Sequence, residues 1–130
     1  MTAPPLGSIL LASTDPRRLS AWYIEAFNPG AGADGFLQFG GVAMLIDDRD
    51  DIAARSAEPG RMILNFHVDD ARATAAHLTG LGVSWLAALE ARDDGWFATL
   101  TDPDGNIIQI IELSADYLAR QPDDMERRDG

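Results

Sequence analysis

Cysteine is absent from this chain of 130 residues. That absence excludes disulfides, thiolate zinc sites and cysteine nucleophiles, and it removes any reason to expect an oxidising compartment. Positive charge is scarce: 10 Lys and Arg residues stand against 21 Asp and Glu, giving a formal net charge of −11 and a pI of about 4.3. Such a surface repels phosphate backbones and anionic lipids, so nucleic acid is excluded as an expected partner. No apolar run approaches the roughly 20 residues of a membrane span. The segment from Met1 to Gly7 has neither a basic n-region nor a long apolar core. No signal peptide and no membrane partner are expected, and a cytoplasmic location is.

What is present suits one compact domain. Hydrophobic residues make up 46% of the chain, and a domain of this length buries roughly two-thirds of its unfolded surface without a staple. Ser8 to Ser13 reads as a short strand. Asp15-Pro16 opens a helix, since Asp caps free N–H groups and Pro tolerates the first helical position. Leu19, Trp22, Tyr23, Ala26 and Phe27 then share one helical face. The breaker cluster Asn28 to Gly35 ends it, and Gly35 to Gly40 and Val42 to Ile46 read as strands around a Gly40-Gly41 turn. Asp47 to Gly60 is a polar connector.

The order then repeats. Met62 to Val68 predicts a strand, Ala71 to Leu81 a helix with a left-handed cap at Gly82, and Val83 to Leu89 a strand. Gly95 to Thr101 and Ile107 to Leu113 form a hairpin around Asp102-Pro-Asp-Gly-Asn106. In that turn Pro103 presets φ, Gly105 and Asn106 accept positive φ, and the Asp side chains can bond turn N–H groups. Ser114 to Gly130 reads as a short helix and a frayed polar tail. Laying Asp70 on Asp15 aligns Arg72 with Arg17 and Ala76 with Ala21, an internal duplication at a period of 55 residues. The predicted class is α+β: two βαβββ modules, about 6–50 and 61–114, with tail 115–130, whose strands form a concave mixed sheet with helices outside.

Several of these motifs carry a family resemblance. Asp102 to Leu113 resembles the closing hairpin of the vicinal oxygen chelate superfamily, which includes glyoxalase I, bleomycin resistance proteins and extradiol dioxygenases. Phe66-His-Val-Asp-Asp70 with its Ala-rich helix resembles the opening of the second module. Asp15 followed by Trp22-Tyr23 resembles the opening of the first, and Gly95 to Thr99 the strand before the hairpin. The likeness covers residues 8–113.

The resemblance implies a divalent metal held by His, Gln and Glu, and here the chain departs from the pattern. The position seven before Asp15 is Ser8, the one seven before Asp70 is Ile63, and the Glu position three after Asn106 is Gln109. The Val42 to Ile46 strand offers no His or Glu. Isoleucine cannot coordinate, and a catalytic metal needs about three protein ligands with some imidazole or charge. No metal and no cofactor are expected.

The expected ligand-binding residues are Leu10, Asn65, His67, Trp85, Trp96, Phe97, Thr99 and Gln109. Period-2 alternation turns His67 inward with Ile63 and Asn65, where it could bond a ligand carbonyl or phenol, act as a base, or simply bond a neighbour. Phe97 and Thr99 alternate inward on the strand before the turn, with Trp96 at its start, and aromatic rings suit a planar guest. Trp22, Tyr23 and Phe27 read as core, and His77 as a surface residue. The first functional reading is metal-independent sequestration of an apolar or aromatic small molecule, like the bacterial bleomycin resistance branch and, like it, homodimeric. The second is a glyoxalase- or dioxygenase-like enzyme with unorthodox ligands or with His67 as base.

Overall fold

Two sheets of four strands each, with the same strand order, organise the chain. The computed structural model describes residues 2–120. By contacts the chain divides into two units. One comprises Pro5–Met62 and Asp102–Asn106; the other contains, among the described residues, 2–4, Ile63–Thr101 and 107–120.

In the first unit β1 (Ser8–Ser13) pairs parallel with β4 (Val42–Asp48), which pairs antiparallel with β3 (Leu37–Phe39), which pairs with the two-residue β2 (Gly30–Ala31). Helix α1 (Pro16–Phe27) starts where Asp15 accepts from the Arg18 N–H at 3.3 Å, with Pro16 in the first turn. It stops at Asn28, whose φ of 48° is left-handed and whose N–H reaches the Ile24 carbonyl. The predicted helical face is the buried one: Leu19, Tyr23 and Ala26 pack toward Leu11, Leu37 and Met44. Trp22 and Phe27 flank them edge-on, with ring centroids 6.2 Å apart.

The second unit repeats this plan. β5 (Ile63–His67) pairs parallel with β8 (Ile107–Leu113), then come β7 (Gly95–Thr101) and β6 (Ser84–Arg92), both antiparallel. Helix α2 (Ala71–Gly80) is capped by Asp70, which accepts from the Ala73 N–H at 3.0 Å, and Gly82 follows it at φ 79°. The duplicated order read from the sequence is therefore present in three dimensions: in each unit the first strand lies parallel to the last, and the helix covers one sheet face. β6 runs to Arg92, three residues beyond the expected end at Leu89, and carries two register shifts against β7. The short helix α3 (Ala115–Ala119) begins at Ser114, as expected; the rest of the polar tail lies outside the described residues.

The Asp102–Asn106 turn packs with the first unit although its flanking strands belong to the second. Asp102 is 3% exposed and Asp104 6%. Asp102 Oδ1 accepts from the N–H groups of Asp104 (2.9 Å) and Asn106 (3.0 Å); its Oδ2 accepts from the Tyr23 hydroxyl (2.7 Å) and Asn106 Nδ2 (2.8 Å). Asp104 accepts from the Ser13 hydroxyl at 2.6 Å and faces Arg18 at 3.5 Å. Burial first, and the Asp102 carboxylate second, push the Tyr23 hydroxyl well above its ordinary pKa. A buried carboxylate is tolerated only when its oxygens are met in this way.

Two predictions follow from these contacts. Tyr23→Phe should cost about 1.5–3 kcal/mol at neutral pH, the worth of a hydrogen bond to a charged group. Because the folded-state pKa is raised, the Tyr23 contribution is complete below about pH 10 and is lost as pH rises beyond it. Denaturant unfolding across pH should show an alkaline decline that is weaker in Tyr23→Phe; equal declines in both proteins would contradict the assignment. At the start of β7, Gly95 has φ 149°, and a Cβ there would run into the Glu112 carbonyl oxygen. Gly95→Ala should destabilise by about 3 kcal/mol, at the upper end of what a strained φ costs, because the overlap adds to it. An unchanged unfolding midpoint would refute this.

Candidate ligand-binding site

Alternation along the strands of the second unit sorts its side chains onto two faces. One face lies under α2: Ala98, Leu100, Ile108 and Ile110 are almost wholly buried there. The other face is open. Cross-strand pairing places Asn65 beside Gln109 and Gln109 beside Thr99, and His67 beside Ile111 and Ile111 beside Phe97. Ile63 lies beside Ile107 and is 45% exposed. Asn65 and His67 are exposed, Phe97, Thr99 and Gln109 are half-buried, and Ile111 between His67 and Phe97 is buried at 7% exposure.

Five of the eight residues expected to bind a ligand therefore share this face: Asn65, His67, Phe97, Thr99 and Gln109. Gln109 Nε2 donates to Thr99 Oγ1 at 3.3 Å. Asn65 and His67 have no side-chain partner among the described residues. His77, on α2, is exposed as expected.

The other three lie elsewhere. Trp96 directly precedes Phe97, so it points to the opposite side of the sheet, where the Arg72 guanidinium of α2 lies 5.1 Å from its ring centroid. Trp85 pairs with the buried Leu100, and its Nε1–H donates to Thr79 of α2 at 3.1 Å. Grouping both tryptophans with Phe97 is corrected by the same alternation that unites the other five. Leu10 belongs to the first unit. It is 62% exposed on the side of β1 opposite the buried Leu11 and Ser13.

Two residues not anticipated from sequence join the open face. Glu90 pairs with Phe97 across β6 and β7. The Arg92 guanidinium lies 4.9 Å from the Phe97 centroid and is held by Glu90 Oε1, which accepts from Arg92 Nε at 2.9 Å and Nη2 at 2.6 Å. Ending β6 at Leu89 hid them. The strand stops at the two-residue Asp93-Asp94 turn, across which Arg92 pairs with Gly95, and the polar pair Asp93-Asp94 is the sequence signal for it.

The first unit contains two clefts. One, about 390 Å³, lies between Leu11 and Ala12 of β1, the segment 52–57, and Asp104 with Asn106. The other, about 380 Å³, runs along Arg17, Ser20 and Ile24 of α1 to Leu45 and Ile46. Neither includes an expected site residue.

The donor chemistry for a metal does not fit at the positions singled out by register. Ile63 offers no donor atom. Gln109 offers one neutral amide oxygen, and Ser8 a neutral hydroxyl on an exposed strand end. Among the described residues no group of three or more His, Asp or Glu side chains is arranged to hold an ion.

Comparison with known proteins agrees with this geometry. A glyoxalase-like domain family model matches residues 8–111. No curated protein matches the sequence. Among solved structures, a glyoxylase/bleomycin resistance protein/dioxygenase domain from a Frankia species superposes with a TM-score of 0.69 at 16% identity, covering 87% of this chain and 100% of that one. TnmS3, an antibiotic binding protein from a Streptomyces species, gives 0.64 at 22%, covering 88% and 99%. TioX from a Micromonospora species gives 0.62 at 18%, covering 85% and 100%. At these identities the solved structures establish the fold. With the duplicated sheet order and a family match spanning most of its length, the chain belongs to the glyoxalase-like domain family of the vicinal oxygen chelate superfamily.

Proposed function

We propose that this protein is a cytoplasmic bacterial binding protein that sequesters an apolar or aromatic small molecule, a natural product or antibiotic, without a metal. The observation that carries the reading is the mismatch at the family's metal positions, where Ile63, Gln109 and Ser8 stand, beside an open sheet face that keeps an aromatic ring and neutral polar groups. Apolar ground with a few fixed polar anchors is the usual make-up of a small-molecule site. The antibiotic-binding neighbour TnmS3 has the same fold and supports the same direction. Among the described residues no helix is long and apolar enough to cross a membrane. The reading includes a homodimer, supported by the edge position of β6 and its Leu86, 58% exposed.

A second reading is favoured by one feature. His67 stands exposed on the open face without a side-chain partner, as a general base would. On that reading the protein alters its guest.

The two readings separate in one set of measurements. Purified protein should contain no stoichiometric nickel, zinc, iron or manganese. Calorimetric titration with planar antibiotics should show saturable binding, unchanged after dialysis against chelator, and return the compound unaltered. Phe97→Ala should weaken that binding by about tenfold, since it removes both the ring and its stacking. Product formation that disappears in His67→Ala would replace sequestration with catalysis. A native mass near 14.0 kDa would contradict the dimer.

A further inference from the structure

The open face of the second sheet is banded. Its register sets His67, Ile111, Phe97 and Glu90 in one cross-strand row, Asn65, Gln109 and Thr99 in the next, and Ile63, Ile107 and Thr101 in a third. Neighbouring strands lie about 4.8 Å apart, and same-face residues along a strand about 6.7 Å. The middle row is thus a polar line spanning about 10 Å, with Ile63 and Ile107 on one side and Ile111 and Phe97 on the other.

The bonding capacity of that line is specific. Gln109 gives one amide hydrogen to Thr99 at 3.3 Å. Its carbonyl oxygen, its second amide hydrogen and the Thr99 hydroxyl hydrogen remain for a guest. Asn65 adds two donors and an acceptor with no side-chain partner among the described residues. Every group in the line is neutral. The charges beside Phe97, Glu90 and Arg92, are bonded to each other at 2.6 and 2.9 Å.

We infer that this face selects neutral planar molecules whose rim carries carbonyl or hydroxyl oxygens, and that Asn65 and Gln109 set that specificity. This rests on the binding reading above. A bare hydrocarbon laid across the rows would cover amides without pairing them, which costs affinity. A charged guest would be desolvated against a middle row made only of neutral groups. A ring system with oxygens along its edge meets the middle line while its faces lie on Ile63, Ile107 and Phe97.

The test compares three probes on the same two-ring frame: naphthalene, 1,4-naphthoquinone and 2-naphthoate, each titrated calorimetrically into the full chain. The sequence has neither cysteine nor lysine, so the quinone has no such side chain to alkylate. The quinone should bind at least about tenfold more tightly than the other two, and Asn65→Leu and Gln109→Leu should each weaken it by about fivefold, the loss of one neutral hydrogen bond. Naphthalene should hold or gain affinity in both variants. Asn65→Asp, which keeps shape at an exposed position but removes the amide donors, should weaken the quinone as Asn65→Leu does. Equal affinity for all three probes, or quinone binding untouched by all the variants, would overturn the oxygen-rim inference and leave the binding reading standing. If no probe binds in a manner sensitive to Phe97→Ala, the binding reading itself falls, and the inference with it.

Discussion

A pair of aspartates buried in a five-residue turn constrains this chain more than any other feature. Taking two carboxylates out of water costs several kcal/mol each unless every oxygen is met. Asp102 is met by two backbone N–H groups, an amide and the Tyr23 hydroxyl; Asp104 by Ser13 and Arg18. No buried side-chain nitrogen or oxygen among the described residues is left without a partner. The demands reach widely through the sequence. Ser13 must end β1, Tyr23 must sit on the inner face of α1, and position 105 must be glycine. Gly105 has φ 85°, a backbone conformation that a side chain would strain. Segment 52–57 is tied to the same turn, because Ser56 N–H donates to the Asp104 carbonyl at 2.8 Å.

The site depends on a simpler rule. A strand sends consecutive side chains to opposite faces, so the second sheet becomes core on one side and an open surface on the other. Under α2 the rule collects Ala98, Leu100, Ile108 and Ile110. On the open side it collects Asn65, His67, Phe97, Thr99 and Gln109, with Ile63 and Ile111 between. Where relatives in the superfamily place coordinating groups, this face has an isoleucine and a neutral amide.

Most of the fold could be read from residue patterns with local causes. Asp15-Pro16 and Asp70 start helices by capping, Asn28 and Gly82 end them through left-handed backbone, and Asp102 to Asn106 closes a hairpin. Period-2 alternation also separated inward from outward residues on β5, β7 and β8. Trp96 takes the register opposite to Phe97 and so faces α2, and Trp85 does the same on a strand with two register shifts. Glu90 and Arg92 lie beyond the last apolar residue of β6, Leu89, and before the Asp93-Asp94 turn that stops the strand. The membership of the 102–106 turn in the first unit is a long-range packing fact. Only the pairing of Tyr23 and Ser13 with residues 79 and 91 positions away reveals it.

The open face of the second sheet is the central claim, and isoleucine methyl groups report on it directly. Ile63, Ile107 and Ile111 lie on that face; Ile108 and Ile110 lie under α2. Methyl chemical-shift mapping of the full chain during titration with a planar antibiotic should move the first three resonances and leave the other two in place. Saturable shifts confined to Ile108 and Ile110, or to the first unit's Ile24, Ile46 and Ile52, would contradict it.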